Sequence, residues 1–418
     1  MTRQSYNELV LILFCVIYTA DTPRKNLRTL KEEDIRLQSC VFGSPKMNAL
    51  IAAIVLISVS SVNSECANPT ETTVIGTLAP ADGTFCSQDL IFEDNFDTLD
   101  HEKWFHDQTM AGGGNDEFQW YVHDRENSYT ADGILHIKPT FTADLFGEQF
   151  LSTGRVTIPP DECTDSSNGG CDRQGTPNYI IHPIRSALIK TSESFSFKFG
   201  TLEIRAKNPS GDWLWPALWM MPKNRVYGGW PASGEIDLME SRGNTALYDN
   251  NLNVGTERIG STLHFGPRWD VNGYDTAHYS KNQSPGFNDD FHVYRLHWTP
   301  TYLQFFVDSA LVGTVNAGTG FWARGGFSWT GLPNPWINGT IMAPFDQHFY
   351  IIINTAIGGT NGFFPERFEN RNGAKPWSNS ASTTKRDFWQ GRAQWEPTWN
   401  RASDRSHFLI DYVRVWAL

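Results

Sequence analysis

From Asp89 to Leu418 apolar and polar residues alternate in short runs, each closed by turn residues before a helical stripe can form. A period of two is the mark of a strand with one buried face. By that criterion LIFEDNFD after Asp89, FQWYVHD (Phe118–Asp124) and GILHIKPT (Gly133–Thr140) are strands. SALIKTS, SFSFKFGTLEIRAKN and WLWPALWMMP follow, with Phe195, Phe197 and Phe199 on one face, and carry the strongest sheet signal. Further strands are predicted in GSTLHFGP (Gly260–Pro267) and FHVYRLHWTPTYLQFFVD (Phe291–Asp308), where Thr299, Pro300 and Thr301 make a hairpin turn. Asp308-Ser309-Ala310 then opens the next hairpin. HFYIIINTAIGG (His348–Gly359) is apolar throughout, as a central strand is, and FLIDYVRVWAL (Phe408–Leu418) alternates again. Residues 143–181 show no convincing period and read as a loop with a strand fragment or two. No stretch of about 12 residues carries a helical stripe capped at both ends. The pattern predicts an all-β domain over residues 89–418, a sandwich of two antiparallel curved sheets with no internal linker. A sheet that is concave on its outer side leaves an open cleft suited to a polymer.

The stretch Trp230–Asn244, WPASGEIDLMESRGN, breaks the rule it sits in. Glu235, Asp237 and Glu240 fall within six residues that also hold Ile236, Leu238 and Met239. Strict alternation puts Glu235 and Asp237 on one face and Glu240 on the other. One extra residue at Leu238 or Met239, a β-bulge, returns Glu240 to the acid face. Two carboxyl groups so close on one face suit glycoside cleavage with retained configuration, which needs them about 5–5.5 Å apart; inversion needs about 6.5–9.5 Å. Asp237, between them, raises the proton affinity of its neighbours and can orient Glu235 through a shared hydrogen bond.

Two apolar segments near the start change the picture of where this domain works. Leu9–Ala20 suits an export signal better than a membrane span, and Met47–Ser64 reads as a second, complete signal peptide placed internally. Residues 1–64 are therefore either an N-terminal extension from too early a start or a signal with a short pro-region, the signal peptide falling at 47–64. Residues 65–88 read as an extended lead-in, and the product as secreted and extracellular, without stable membrane insertion of the mature form. Cys66, Cys86, Cys163 and Cys171 remain in an oxidising compartment, where four cysteines allow three connectivities. Nearest-neighbour pairing, Cys66–Cys86 and Cys163–Cys171, is the simplest. Asn282 (N-Q-S) and Asn338 (N-G-T) are glycosylation acceptors in turn-like stretches. The formal net charge of −12 opposes nucleic acid as a partner, and heavily sulphated or uronate chains as a substrate.

With 16 Trp in the chain, flat apolar faces are abundant, and Trp215, Trp219, Trp230 and Trp377 are candidates for stacking on sugar rings. Trp230, five residues before Glu235, has the best claim to lie near the reactive sugar. His264 follows the acid strand by one loop and can donate to a sugar hydroxyl, and Asn127, in HDRENSYT, is a further polar candidate. No His/Asp cluster typical of a metallohydrolase and no G-x-S-x-G elbow is evident. No cofactor is required for the chemistry the carboxylates suggest, and a monomer is expected.

GEIDLME with the preceding WPAS resembles the active-site signature of glycoside hydrolase family 16, in its bulged, laminarinase-like branch. The likeness extends through DLIFEDNFD, FGTLEIRAKNP, WLWPALWMMP, STLHFG, INTAIGG and DYVRVW. The resemblance implies a β-jelly-roll endo-β-1,3-glucanase acting on β-glucan by retaining double displacement. It implies Glu235 as nucleophile, Glu240 as acid/base and Asp237 as assistant. It also places Trp230 near the cleaved sugar, Trp215 along the cleft and His264 across the cleavage point. Some members hold a structural calcium on the convex side, for which Glu93, Gly133 and Asp411 fall in suitable segments. The invertebrate β-1,3-glucan recognition proteins are the alternative: they share the sandwich but generally carry an extra N-terminal module and lack the catalytic acids. Residues 65–88 are too few for that module, and all three acids are present here.

Overall fold

The computed structural model describes residue 66, residues 68–80 and residues 83–418. The two apolar N-terminal segments, with the signal and pro-region expectations attached to them, lie outside the described residues. Two large sheets form the domain. One has nine strands, ordered Thr73–Ile75, Ser196–Lys198, Phe349–Ile357, Leu214–Pro222, Glu235–Ser241, Arg258–His264 and His278–Asn282. Its remaining two, Leu188–Lys190 and Phe105–His106, branch from Phe349–Ile357. The other has eight, ordered Ala310–Asn316, Tyr302–Val307, His292–Trp298, Gly200–Lys207, Phe408–Trp416, Ile134–Ile137 and Ser128–Ala131, with Leu90–Asp94 also paired to Phe408–Trp416. Every pairing within these two sheets is antiparallel.

Alternation explains how the sheets face each other. Leu218 and Met220, Ile236, Ile259 and Leu263, and Ile351 and Ile353 point inward from the first sheet. They meet Leu202, Ile204, Leu296, Trp298, Phe305, Val413 and Val415 from the second in one buried cluster. The hairpin turns form where expected: Trp298 pairs with Leu303 across Thr299–Pro300–Thr301, and Val307 with Ala310 across Asp308 and Ser309. Asp308 and Ser309 both take positive φ, 50° and 67°, the twist a two-residue hairpin needs.

Residues 143–181 are more ordered than their lack of period predicts. They form the short helices Thr142–Phe146 and Glu148–Thr153 and the ribbon of Arg155–Thr157 with Asp172–Gln174. With the segment 360–399 they build a second apolar cluster, which takes up Trp213, Trp377, Trp389, Trp395 and Trp399. Among the described residues the disulfides are Cys66–Cys86 and Cys163–Cys171. The first fastens the lead-in, whose Thr73–Ile75 is an edge strand of the nine-stranded sheet. Among the described residues no helix is long and apolar enough to cross a membrane.

Candidate active site

The acid strand carries the predicted bulge. Against Leu214–Pro222, Leu218 faces Met239 while the next residue, Trp219, faces Asp237. Against Arg258–His264, Asp237 faces Thr262 and Glu240 faces Gly260, so three steps on one strand match two on the other. Leu238 and Met239 both enter the core, and Glu240 returns to the outer face with Glu235 and Asp237. A bulge leaves backbone groups out of the ladder. Here the buried Ser261 hydroxyl donates to the Leu238 carbonyl at 2.8 Å and repairs that loss.

Each glutamate is held by an indole. Trp230 Nε1 donates to Glu235 Oε2 at 2.8 Å, and Trp215 Nε1 donates to Glu240 Oε1 at 3.0 Å. Trp215 reaches the acid face because Leu214–Pro222 alternates as well, sending Trp215, Ala217 and Trp219 outward. The Trp215 ring stacks on Phe363 at 3.8 Å, and the Arg242 guanidinium covers the Phe363 ring at 4.0 Å. Trp230, 42% exposed, is the platform open to solvent. Trp219 Nε1 donates to Asn354 Oδ1 at 2.7 Å, and Asn354 Nδ2 donates to Tyr121 Oη at 2.8 Å.

His264, opposite Glu235 in the ladder, brings Nε2 to 3.3 Å from Asp237 Oδ2 and 3.8 Å from Glu235 Oε1. Its ring is set by Asn272, whose amide nitrogen lies 2.8 Å from Nδ1, and flanked by Trp230 and Tyr274 at 5.7 and 5.4 Å. Burial pulls the His264 pKa down, but the bond to Asp237 and the charges of Glu235, Asp237 and Glu240 outweigh it and push the value up to about 10. The Asn272 amide facing Nδ1 favours the neutral ring. In either form Nε2 carries a proton toward the acids. Burial, then the charges of Glu235 and Glu240, push Asp237 well above the usual carboxylate range. Burial also raises Glu240, against the opposing charge of His264 and the Trp215 hydrogen bond. Burial and mutual repulsion thus favour the protonated form at Asp237 and Glu240, beside Glu235, which accepts the Trp230 indole bond.

Glu235, Asp237, Glu240, Trp230, Trp215 and His264 thus come together, whereas the other expectations fare differently. Asn127 is fully buried; its amide donates to the Lys138 and Arg185 carbonyls and to Thr140 Oγ1, so it ties strands together and presents nothing to a ligand. Trp377 is core, with its indole on the Gly359 carbonyl. Of the calcium residues, Glu93 and Asp411 do not fit a cation. Glu93 binds Arg414, Asp411 binds Arg205, and the Lys103 ammonium donates to the Glu93 carbonyl, while Gly133 lies in a turn. Those oxygens already face cations. Asn338 is exposed in the expected turn, whereas Asn282, also exposed, is the last residue of the strand His278–Asn282 and not in a turn.

A His/acid cluster that is not evident along the chain is present in the fold: Glu235, Asp237 and His264 offer donor atoms within 4.8 Å of one another. Ladder pairing created that group, not spacing. Sequence reasoning also missed Asn272, Arg242 and Phe363. Arg242 is enclosed, bonded to the Phe363 carbonyl, with burial lowering its pKa to about 10 despite the Glu240 charge. Its nearness to Glu240 in the chain was the available signal.

The sandwich and its acid-bearing bulged strand define a β-jelly-roll of the glycosidase type. The chain belongs to the glycosyl hydrolases family 16, whose profile matches residues 167–324. It is 44% identical to a β-1,3-glucan-binding protein of Penaeus monodon over 382 residues, 89% of this chain and 99% of that one. It is 33% identical to glucan endo-1,3-β-glucosidase A1 of Niallia circulans over 68% of this chain and 36% of that protein. A solved endo-acting O-glycanase of the human gut microbiota has the same fold, at 22% identity over 79% of this chain and 91% of that one, with a TM-score of 0.52.

Proposed function

We propose that this protein is secreted and hydrolyses internal β-1,3-glucosidic bonds of β-glucans such as laminarin, acting as a monomer with retention of configuration. The observation that carries this reading is the bulge, which aligns Glu240 with Glu235 on one strand face. In the first step a Glu235 oxygen attacks the anomeric carbon while the bond to the leaving oxygen breaks and Glu240 supplies its proton. In the second, Glu240 takes a proton from water as that water attacks the anomeric carbon and releases Glu235. Burial supports Glu240 as the group protonated at the start. The Trp230 indole, bonded to Glu235 Oε2, and His264 Nε2, 3.8 Å from Glu235 Oε1, support Glu235 in its departure as a carboxylate. The disulfides support an extracytoplasmic setting.

Glucan binding without turnover is the second reading, favoured by the name of the 44% identical relative. Proton NMR of laminarin digestion separates the two. Retained configuration in the first product supports double displacement, inversion removes the covalent step, and binding with no cleavage establishes the second reading. For Glu235→Ala, azide should restore turnover of an activated aryl glucoside with inversion.

A further inference from the structure

Three histidines converge at an edge of the nine-stranded sheet, in residues the hydrolytic chemistry does not use. His106 ends the strand Phe105–His106, which pairs with Leu188–Lys190. His101 lies in the turn leading into that strand, and His123 lies two residues beyond the strand Gln119–Tyr121. The His106 and His123 rings stack at 4.1 Å with 17° between their planes. The His101 ring lies 5.6 Å from the first and 5.0 Å from the second. One ring nitrogen from each histidine falls within 4.8 Å of the other two.

Stacking accounts for one pair of rings, but three imidazoles that each offer a nitrogen within this distance also form a set of metal donors. His106 Nε2 is 2.8 Å from Ser128 Oγ, at the start of a strand in the other sheet. Its Nδ1 is buried and has no hydrogen-bond partner. Either tautomer strands that atom, because a proton there finds no acceptor and a lone pair finds no donor. A metal-bound histidine characteristically donates its far N–H to an oxygen, which fixes the ring and aims the remaining lone pair at the ion. The Ser128 hydroxyl stands where that oxygen belongs. His101 and His123 are exposed, so their rings can turn inward. Tetrahedral coordination at about 2.0–2.1 Å needs nitrogens roughly 3.4 Å apart, a closure within reach of such rotations.

We propose that His101, His106 and His123 form a site for one divalent transition-metal ion of the zinc class, with His106 Nδ1 as the buried ligand and solvent in the remaining position. Three nitrogen donors select zinc, copper or nickel over calcium and magnesium, which require oxygen. The ion would join the turn after Leu90–Asp94, an edge strand of one sheet and the segment following Gln119–Tyr121. Its ligands share no residue with the carboxylate site.

The test is calorimetric titration of zinc chloride into the metal-stripped full chain at neutral pH. One ion binds per chain with a dissociation constant in the micromolar range or below, and excess calcium does not compete. His101→Ala and His123→Ala, both at exposed positions, each weaken binding by about tenfold or more while the far-UV circular dichroism is unchanged. Cobalt(II) gives visible-range absorption with the wild type that the double variant lacks. No saturable zinc binding, or equal binding by the double variant, overturns the proposal and leaves only stacked imidazoles.

Discussion

Trp215→Phe tests whether Glu240 supplies the proton. The substitution removes the 3.0 Å hydrogen bond to Glu240 Oε1 while leaving an aromatic ring to stack on Phe363. A bond to an ionised carboxylate contributes about 1.5–3 kcal/mol, and the same donor on a neutral carboxyl about 0.5–1.5 kcal/mol. Only the difference, about 1–1.5 kcal/mol, acts on ionisation. Trp215 is 7% exposed, so solvent does little to dilute it. With about 1.4 kcal/mol to a factor of ten, Glu240 in the variant holds its proton roughly tenfold more tightly. If Glu240 is the acid, its deprotonation sets the alkaline limb of kcat/KM. That limb moves to higher pH, and the variant keeps about tenfold more of its own maximum at a pH on the wild-type limb. The assay is hydrolysis of a laminarin oligosaccharide across pH, each profile scaled to its maximum so that lost stacking on the substrate drops out. A carbon NMR titration of labelled glutamate follows the carboxyl directly. A limb that stays in place, or moves to lower pH, refutes the assignment of Glu240 as the acid.

Two further predictions concern the fold around the same strand. Because burial raises the folded-state pKa of Glu240 above its usual 4.5, the native protein binds more protons than the unfolded chain above that pH, and its stability falls as pH rises through the raised value. Glu240→Gln lacks that loss: its midpoint in urea matches wild type at pH below about 4 and exceeds it increasingly toward neutrality, and a constant difference across pH refutes the linkage. Ser261→Ala strips the Leu238 carbonyl of its partner at the bulge and costs about 1–3 kcal/mol in urea unfolding; a change under about 0.5 kcal/mol shows that the bulge does not depend on that hydroxyl.

The sequence by itself determined what repeats locally. A period of two marked many of the longer strands of both sheets, and the offset from Glu235 to Glu240 marked the bulge, because side-chain direction depends only on neighbouring backbone. Trp215 was legible as a cleft residue only through the resemblance of its segment to the family; the alternation of Leu214–Pro222 then shows why it faces the acids. Partner choice is another matter, since it depends on which strands the topology lays side by side. Glu93 and Asp411 look like free oxygen donors along the chain, yet the sheet sets them against Arg414 and Arg205. Asn127 looks like a turn residue, yet packing of Arg185 against it makes it a buried tie. Asn354 meets Tyr121 across 233 residues, and His106 meets Ser128 across the two sheets. Tryptophans at 377, 389, 395 and 399 could serve a ligand or a core with equal chemistry, and only the second cluster decided for the core. Tertiary structure settled these cases because burial, which makes a polar group need a partner and an aromatic ring unavailable, is a property of what surrounds a residue.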